Sequence, residues 1–244
     1  MRKTFSVTAD ATHCSTCMLS DLCLPLGMSH EQRTTLDQLI KERIQLQKAT
    51  ALFRLGDKVE AVYAIRSGSI KTQLEDASGQ VQITGFLLPG EITGLDGLAD
   101  MRQPSNAIAM ENTEVCVIRL DEMDLLAQHL PVLQQQFRRL MSKEIQRSQQ
   151  MAMSMGGLRS EQRIALFLLN MSQRLSALGY SSTEFLLRMS RENLGNYLGL
   201  TLETVSRLLS RFGRDGLIRI HQREVQLLDM QALQKLAGAT SVGC

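Results

Sequence analysis

Residues 190–213 read SRENLGNYLGLTLETVSRLLSRFG, and this stretch predicts two short helices joined by a tight turn. Ser190 and Thr201 suit the position just before a helix, because their hydroxyls accept hydrogen bonds from backbone amides. Gly199 adopts without strain the left-handed conformation that often ends a helix. The stretch therefore predicts a helix-turn-helix.

The second of these helices divides into an apolar and a polar stripe. Its apolar side consists of Val205, Leu208, Leu209 and Phe212, and its exposed side of Glu203, Ser206, Arg207, Ser210, Arg211 and Arg214. Such a helix contacts bases in the DNA major groove with its N-terminal residues. Arg207 suits guanine, Glu203 can accept from cytosine, and Ser206 is an adaptable partner. The alternative is an ordinary helical hairpin in which Glu203 pairs with Arg207.

Two predicted strands, Leu217–Ile220 and Val225–Leu228, follow this unit and would form a wing. The charge of the same region is positive. Residues 159–244 contain 11 of the 27 Lys and Arg residues and 7 of the 25 Asp and Glu residues, a net charge of +4. All but one of these basic residues are Arg, which contacts phosphate and guanine bidentately. A solvated basic face is the alternative interpretation.

The region from about Ala49 to Leu120 has the pattern of a β-barrel or jelly roll. Four of its glycines, Gly56, Gly68, Gly79 and Gly90, recur at intervals of 11 or 12 residues. Stretches rich in β-forming residues lie between and after them, at Val59–Ile65, Ser69–Leu74, Val81–Leu87 and Val115–Leu120. Evenly spaced short strands with glycine turns are typical of such folds. Residues 29–48, before this region, predict a short helix with Leu36, Leu39 and Ile40 on one face.

A long helix is predicted from Pro131 to about Leu158, before an amphipathic helix over Ser160–Ala177 that ends at Gly179. Its seam consists of Phe137, Met141, Ile145, Ser148, Ala152 and Met155, spaced by three and four residues. This spacing is close to that of a coiled coil and predicts a dimer interface. The alternative is a helix packed against its own domain.

Three cysteines, Cys14, Cys17 and Cys23, lie close together in a polar N-terminal segment. Thiolates at this spacing indicate a metal or cluster, and both zinc and iron–sulfur centres take four ligands of this kind. The candidates for a fourth ligand are His13, Cys116 and Cys244. The spacing alone does not choose between zinc and iron, and Cys116 by itself has the pattern of a buried core thiol in a strand.

Composition excludes several classes of protein. No apolar run approaches the roughly 18 residues that a membrane helix needs, and the N-terminus lacks the apolar stretch of a secretory signal. We therefore expect a cytoplasmic protein without a membrane partner, in which cysteines are ligands or core residues rather than disulfides. The four histidines are scattered, and no nucleophile–base or paired-carboxylate arrangement stands out, so we expect no enzymatic activity.

Three segments resemble the CRP/FNR superfamily of bacterial transcription regulators, and most closely its FNR/ANR oxygen-sensing branch. They are Cys14 to Pro25 (CSTCMLSDLCLP), Leu55 to Lys71 (LGDKVEAVYAIRSGSIK) and Gly195 to Leu209 (GNYLGLTLETVSRLL). The resemblance covers nearly the whole chain and implies an α+β protein. It would have a cyclic-nucleotide-binding-like β-roll (a jelly roll), a long dimerisation helix and a C-terminal winged helix-turn-helix.

The resemblance further implies an oxygen-labile [4Fe–4S] cluster, held by Cys14, Cys17, Cys23 and Cys116 and converted to [2Fe–2S] by oxygen. The cluster-bearing form would be a homodimer that binds double-stranded DNA and contacts RNA polymerase. The base-reading residues would be Glu203, Ser206 and Arg207, on a TTGAT-N4-ATCAA-like site under anaerobic conditions. The expected function is control of genes of anaerobic metabolism; the alternative is the same architecture with zinc or another ligand in place of the cluster.

Two positions depart from patterns within the superfamily. The cyclic-nucleotide branch binds phosphate through an Arg-Ser pair, but here Pro104 precedes Ser105, so we expect no cyclic nucleotide. The dimer seam of the oxygen-sensing branch often carries an acidic residue where this chain has Ser148. We expect four segments: 1–28 for cluster binding, 29–130 for the β-roll, 131–158 for dimerisation and 159–244 for DNA binding.

Overall fold

The computed structural model describes residues 5–8, 13–37 and 40–238 and divides the chain into two units. The first unit is Met1–Gln146 and the second is Arg147–Cys244, so their boundary falls inside a long helix. Leu39 and Cys244, which the sequence analysis singled out, lie outside the described residues.

The first unit contains two antiparallel sheets. Its strands are β1 (Phe5–Thr8), β2 (Glu42–Leu46), β3 (Ala51–Phe53), β4 (Ala61–Ser67), β5 (Ile70–Glu75), β6 (Val81–Leu87), β7 (Ile92–Thr93), β8 (Asn106–Ala109) and β9 (Thr113–Arg119). One sheet has the order β1-β2-β9-β4-β7 and the other β3-β8-β5-β6. Side chains of both sheets, among them Leu52, Ile65, Ile70 and Val115, form a buried core. The expected β-roll is confirmed.

The glycine spacing marks the turns of this roll. Gly56, Gly68, Gly79 and Gly90 all have positive φ angles, between 81° and 86°, which other residues adopt only with strain. At Gly68 the backbone is also crowded, because a Cβ would lie 2.6 Å from the Asn112 carbonyl oxygen. One glycine with a positive φ angle therefore lies in each of the four connections from β3 to β7.

The helix expected over residues 29–48 is much shorter in the structure. Helix α1 runs over His30–Leu36, with the Ser29 hydroxyl accepting from the Gln32 amide. Residues Glu42–Leu46 form strand β2 instead, and this part of the prediction is wrong. Ile44 and Leu46 are buried while their neighbours are not, and the whole stretch pairs with β9. This pairing with a distant segment outweighs local helix propensity.

Two helices follow the roll. Helix α2 (Leu120–His129), which the sequence analysis did not predict, begins where β9 ends. Helix α3 (Pro131–Gly157) confirms the long helix expected from Pro131. Leu133, near the start of α3, is fully buried in the core of the first unit.

The second unit contains a helix-turn-helix and a three-stranded sheet. Its elements are α4 (Ser160–Ala177), β10 (Glu184–Leu186), α5 (Arg191–Leu198), α6 (Leu202–Arg214), β11 (Ile218–His221), β12 (Glu224–Leu227) and α7 (Met230–Ala237). The two wing strands are present within two residues of their predicted bounds. Strand β10, which extends the wing to the order β10-β12-β11, and helix α7 were not predicted.

Candidate cysteine site and nucleic-acid interface

The N-terminal cysteine segment is a series of tight turns folded against the first unit. It starts with a short 3₁₀ helix, Cys14–Thr16. The Ser15 hydroxyl donates to Asp37 Oδ2 over 2.6 Å, and Arg33 donates to the Ser20 hydroxyl and the Asp21 carboxylate over 2.7 Å each. These polar contacts tie the segment to helix α1 and the residue that follows it.

Apolar contacts hold the end of the same segment. Leu24 and Met28 are 2% and 4% exposed and belong to the core of the first unit. Met18, by contrast, is 98% exposed. The segment is therefore anchored at its end, while its middle faces solvent.

All four candidate cysteines line one cavity. Cys116 reaches it from strand β9, and Cys14, Cys17 and Cys23 from the N-terminal segment. Apolar side chains, including Leu24, Ile40, Ala64 and Ile118, complete the lining. Among the candidates for a fourth ligand, the structure thus brings Cys116 to the other three. His13 is exposed instead, with Nδ1 3.5 Å from Asp37 Oδ2.

Burial and mutual proximity disfavour charge on these thiols. Burial raises the pKa of Cys23 to about 12, with the nearby Cys116 and Cys17 adding to the rise. Burial likewise raises the pKa of Cys116 to about 11. The pKa of Cys14 is raised further still, first by burial and then by Cys23 and Cys116. A bound cation reverses this preference, because metal ligation requires thiolates.

Four thiolates are the ligand set of both a four-iron cluster and a single zinc ion. Within residues 13–37 and 40–238, no group of three or more His, Cys, Asp or Glu side chains is arranged as a preformed site for one metal ion. A four-iron cluster instead binds its four thiolates at separate irons, which sets them farther apart. The cavity that the four thiols share has a volume of about 30 Å³.

The helix-turn-helix has the local geometry that its sequence predicts. The Ser190 and Thr201 hydroxyls accept from the amides of Asn193 and Thr204, and Gly199 has a φ angle of +64°. The buried side of α6 consists of Val205, Leu208, Leu209 and Phe212, as expected. A hydrogen bond from the Leu200 amide to the Gly195 carbonyl, 2.8 Å long, closes the turn.

Arg163 on helix α4 holds two helix ends in the second unit. Its guanidinium donates to the carbonyl oxygens of Met155, Leu158 and Leu198. The Leu198 carbonyl ends the first helix of the helix-turn-helix, and the Met155 carbonyl lies near the end of α3. Arg163, which the sequence analysis did not single out, therefore fixes the start of the turn that orients α6.

The polar side of α6 is available for contact. Glu203 and Arg207 are exposed, and Ser206 is half-buried and accepts from Arg191 over 3.4 Å. The Glu203 amide and the Thr201 hydroxyl hold the pKa of the Glu203 carboxyl below its usual range, so it is ionised at neutral pH. Within residues 13–37 and 40–238 no ion pair joins Glu203 to Arg207, unlike the pairing of the hairpin alternative.

The comparisons with known proteins agree with this architecture. Residues 43–129 match the family described as "Cyclic nucleotide-binding domain". Residues 162–236 match the family described as "Crp-like helix-turn-helix domain". The chain is 60% identical over 241 residues to the transcriptional regulatory protein btr of Bordetella pertussis, covering 99% of this chain and 100% of that protein. This chain belongs to the CRP/FNR family of transcription regulators.

A second relative and one solved structure also match most of this CRP/FNR regulator. It is 44% identical over 244 residues to the transcriptional activator protein anr of Pseudomonas aeruginosa, with all of both chains covered. Among solved structures, FixK2 from Bradyrhizobium japonicum matches with a TM-score of 0.74 and 27% identity, over 82% of this chain and 98% of that one. The chain is thus a DNA-binding regulator of the FNR/ANR type.

Two polar side chains are buried in the region that matches the cyclic nucleotide-binding family. Ser105 is 2% exposed, and its hydroxyl donates to Asp96 Oδ2 over 2.8 Å. Gln103, also 2% exposed, lies against Gly94 and Gly97, within 3.4 Å of the position that a Cβ at either would take. The hydroxyl that could contact a phosphate is therefore used within the chain.

Some side chains of the predicted α3 seam pack against the rest of the protein, and the others are exposed to solvent. Phe137 packs against the core of the first unit, and Met155 is half-buried in the second. Between them, Met141, Ile145, Ser148 and Ala152 are exposed, Ile145 to 57%. No helix within the described parts of the chain is long and apolar enough to cross a membrane.

Proposed function

We propose that this regulator responds to oxygen through a [4Fe–4S] cluster bound by Cys14, Cys17, Cys23 and Cys116. The observation that carries this proposal is the common cavity of the four thiols, to which strand β9 contributes Cys116. A relative named "Anaerobic regulatory protein", from Pasteurella multocida and 43% identical over 230 residues, supports it. A bound cluster would supply the group that reacts with oxygen. Oxygen would convert this cluster to a [2Fe–2S] form.

The chain's own residues limit access to this site. Leu24, Ile40 and Ile118 make the cavity apolar, which keeps water away from the thiols. Met18 and the half-buried Leu19 occupy the outer side of the segment. Because the segment has few core residues of its own, ligation of its three cysteines to Cys116 would order it against the sheet.

We infer that the regulated step is formation of a homodimer through the exposed part of the α3 seam. Apolar side chains such as Met141 and Ile145 gain from burial against a second copy of the helix. The neutral Ser148 adds no charge repulsion at the centre of this seam. A dimer engages two half-sites at once, so its affinity exceeds that of either half alone.

Base recognition is assigned to Glu203, Ser206 and Arg207 on α6. Their position in the first two turns of the helix is the one that contacts base edges in helix-turn-helix proteins. The expected site is TTGAT-N4-ATCAA-like, with Arg207 on guanine and Glu203 on cytosine. Arg191 and Arg223 line a groove of about 330 Å³ beside this helix and would contact backbone phosphates. The resemblance to the FNR/ANR branch further implies contact with RNA polymerase and action in the cytoplasm on genes of anaerobic metabolism.

We expect no cyclic nucleotide, because Pro104 stands where the cyclic-nucleotide branch has an Arg and the Ser105 hydroxyl donates to Asp96. The competing proposal is a zinc ion in the same architecture. Analysis of iron, sulfide and zinc in the purified protein separates the two proposals, because only a four-iron cluster contains iron and sulfide.

The test compares DNA binding before and after exposure to air. Anaerobically purified protein should bind a labelled TTGAT-N4-ATCAA duplex tightly, and air should weaken this binding. Cys23→Ala should bind weakly in both conditions, while Lys58→Gln, on an exposed surface of the first unit, should behave as wild type. Equal anaerobic affinities of wild type and Cys23→Ala would overturn the proposal.

A further inference from the structure

A charged group of three residues lies beside Cys116 on the sheet. Arg43 is the cross-strand partner of Cys116 in the pair of β2 and β9. Glu114 lies two residues before Cys116 on β9, so both side chains project from the same face. Arg66, which follows Ala64 by two residues on β4, lines the cysteine cavity itself.

The three side chains are joined by hydrogen bonds and largely removed from water. Arg43 and Arg66 each donate through Nη1 to a different oxygen of Glu114, both over 3.2 Å. The side chains of Arg43, Glu114 and Arg66 are 15%, 18% and 36% exposed. Two guanidinium groups share one carboxylate, so the group keeps one net positive charge.

Stability alone is a weak reason for this arrangement. Buried ion pairs recover little more than the cost of removing their charges from water. Arg43 also retains a buried Nε–H without a hydrogen-bond partner in the described residues, which adds to that cost. Burying these three charged side chains costs free energy and leaves the Arg43 Nε–H without a hydrogen bond. A negatively charged group next to them would offset part of this cost.

The cysteine site is such a neighbour when it is loaded. Four thiolates around a dication or a dicationic cluster core leave a net charge of about −2. Both arginines lie against this site, since Arg66 lines the cavity and Arg43 is the cross-strand partner of Cys116. Asp37 accepts from the amide and the hydroxyl of Ser15 and so places a negative charge next to Cys14. The three-residue group thus supplies the positive charge that faces the thiols.

We propose that Arg43, Glu114 and Arg66 are positioning residues that hold one net positive charge against the loaded thiolate site and thereby set its affinity for metal. This inference rests on the proposed function, because that function places a metal centre on these cysteines. It gives Glu114 and the two arginines opposite effects. Loss of an arginine charge weakens binding, and loss of the Glu114 charge strengthens it.

The experiment titrates anaerobic, metal-free, full-length protein with Cd²⁺ and follows the thiolate-to-metal absorption band. Arg66→Gln should weaken Cd²⁺ binding roughly three- to tenfold, the effect of one charge at about 10 Å in a partly buried site. Glu114→Gln should strengthen it, and Arg66→Lys, which keeps the charge, should lie near wild type. Lys58→Gln is the control, because Lys58 pairs with Glu60 on an exposed surface.

The outcomes separate a charge effect from a merely structural one. If both Gln variants weaken binding, or if Arg66→Lys is as weak as Arg66→Gln, the inference is wrong. If Glu114→Gln fails to fold, the comparison of the two Arg66 variants still decides. Iron and sulfide analysis of the same proteins tests the proposed function separately. Wild type that loads a cluster while all variants bind Cd²⁺ equally overturns only this inference.

Discussion

Gly195 packs directly against the carbonyl of Leu200: a Cβ at Gly195 would lie 2.6 Å from that oxygen. The Leu200 amide donates in turn to the Gly195 carbonyl over 2.8 Å. These two contacts set how closely the turn approaches α5 and hence where α6 begins. The φ angle of Gly195 is not in the left-handed region. The close approach of the Leu200 carbonyl, and not the backbone conformation, therefore requires a glycine here.

Gly195→Ala should therefore destabilise the helix-turn-helix, by about 1–3 kcal/mol as for other overpacked positions. Urea unfolding followed by circular dichroism measures this loss, and DNA affinity should fall with it. Gly213→Ala is the matched control, because a Cβ there would lie 3.9 Å from the Ile218 carbonyl oxygen, an ordinary van der Waals distance. Equal effects of the two substitutions would contradict the account of the turn.

Arg207→Ala should cost about 1–3 kcal/mol in binding to the TTGAT-N4-ATCAA duplex, and much less on random DNA. The reason is that Arg207 is exposed and makes no ion pair within the described residues, so its donors are available to a base. Arg211→Ala is the comparison, because Arg211 is paired with Glu161 and Asp215. Fluorescence anisotropy on both duplexes measures the difference. Equal losses on both duplexes would make Arg207 a phosphate contact.

Ile145→Glu should shift the anaerobic protein from dimer to monomer, since it places a charge in the apolar seam of α3. Met153→Glu should leave the dimer intact, although Met153 is even more exposed, at 74% against 57% for Ile145. Met153 lies off the seam. Sedimentation velocity of both variants tests the interface, and a dimer that survives Ile145→Glu would exclude this seam.

Alkaline pH should destabilise the metal-free first unit through its buried thiols. Burial raises the pKa of Cys116 to about 11 and that of Cys23 to about 12, above the ordinary value of 9.0. Above pH 9 the unfolded chain therefore loses protons that the folded chain still holds, so the free energy of unfolding falls as pH rises toward 11 and 12. Urea unfolding at pH 8 and pH 10.5 measures this fall, which should be smaller in Cys116→Ser. An unchanged fall in that variant would rule out Cys116 as its source.

The helix-turn-helix was predictable because its signals are local. Ser190, Gly199 and Thr201 determine caps and a turn within a few residues, and the structure has each of them in place. Strand β2 was not predictable in this way. Its five residues follow a helix, and their pairing with β1 and β9 makes them a strand.

The cysteine site shows the same limit. From its neighbours alone, Cys116 has the pattern of a core thiol, and its approach to Cys14 depends on where β9 lies in the sheet. The resemblance to the FNR/ANR branch supplied this pairing, and the common cavity agrees with it. The Arg43–Glu114–Arg66 group was missed because its members are distant in sequence and meet only across three paired strands.

The most direct test of the cluster assignment is iron and acid-labile sulfide analysis, with a visible spectrum, of protein purified without air and then exposed to it. The account predicts about four irons and four sulfides per chain and a brown colour that changes in air. Zinc, or no metal in carefully anaerobic protein, would contradict it and leave the cysteines without a role in sensing oxygen.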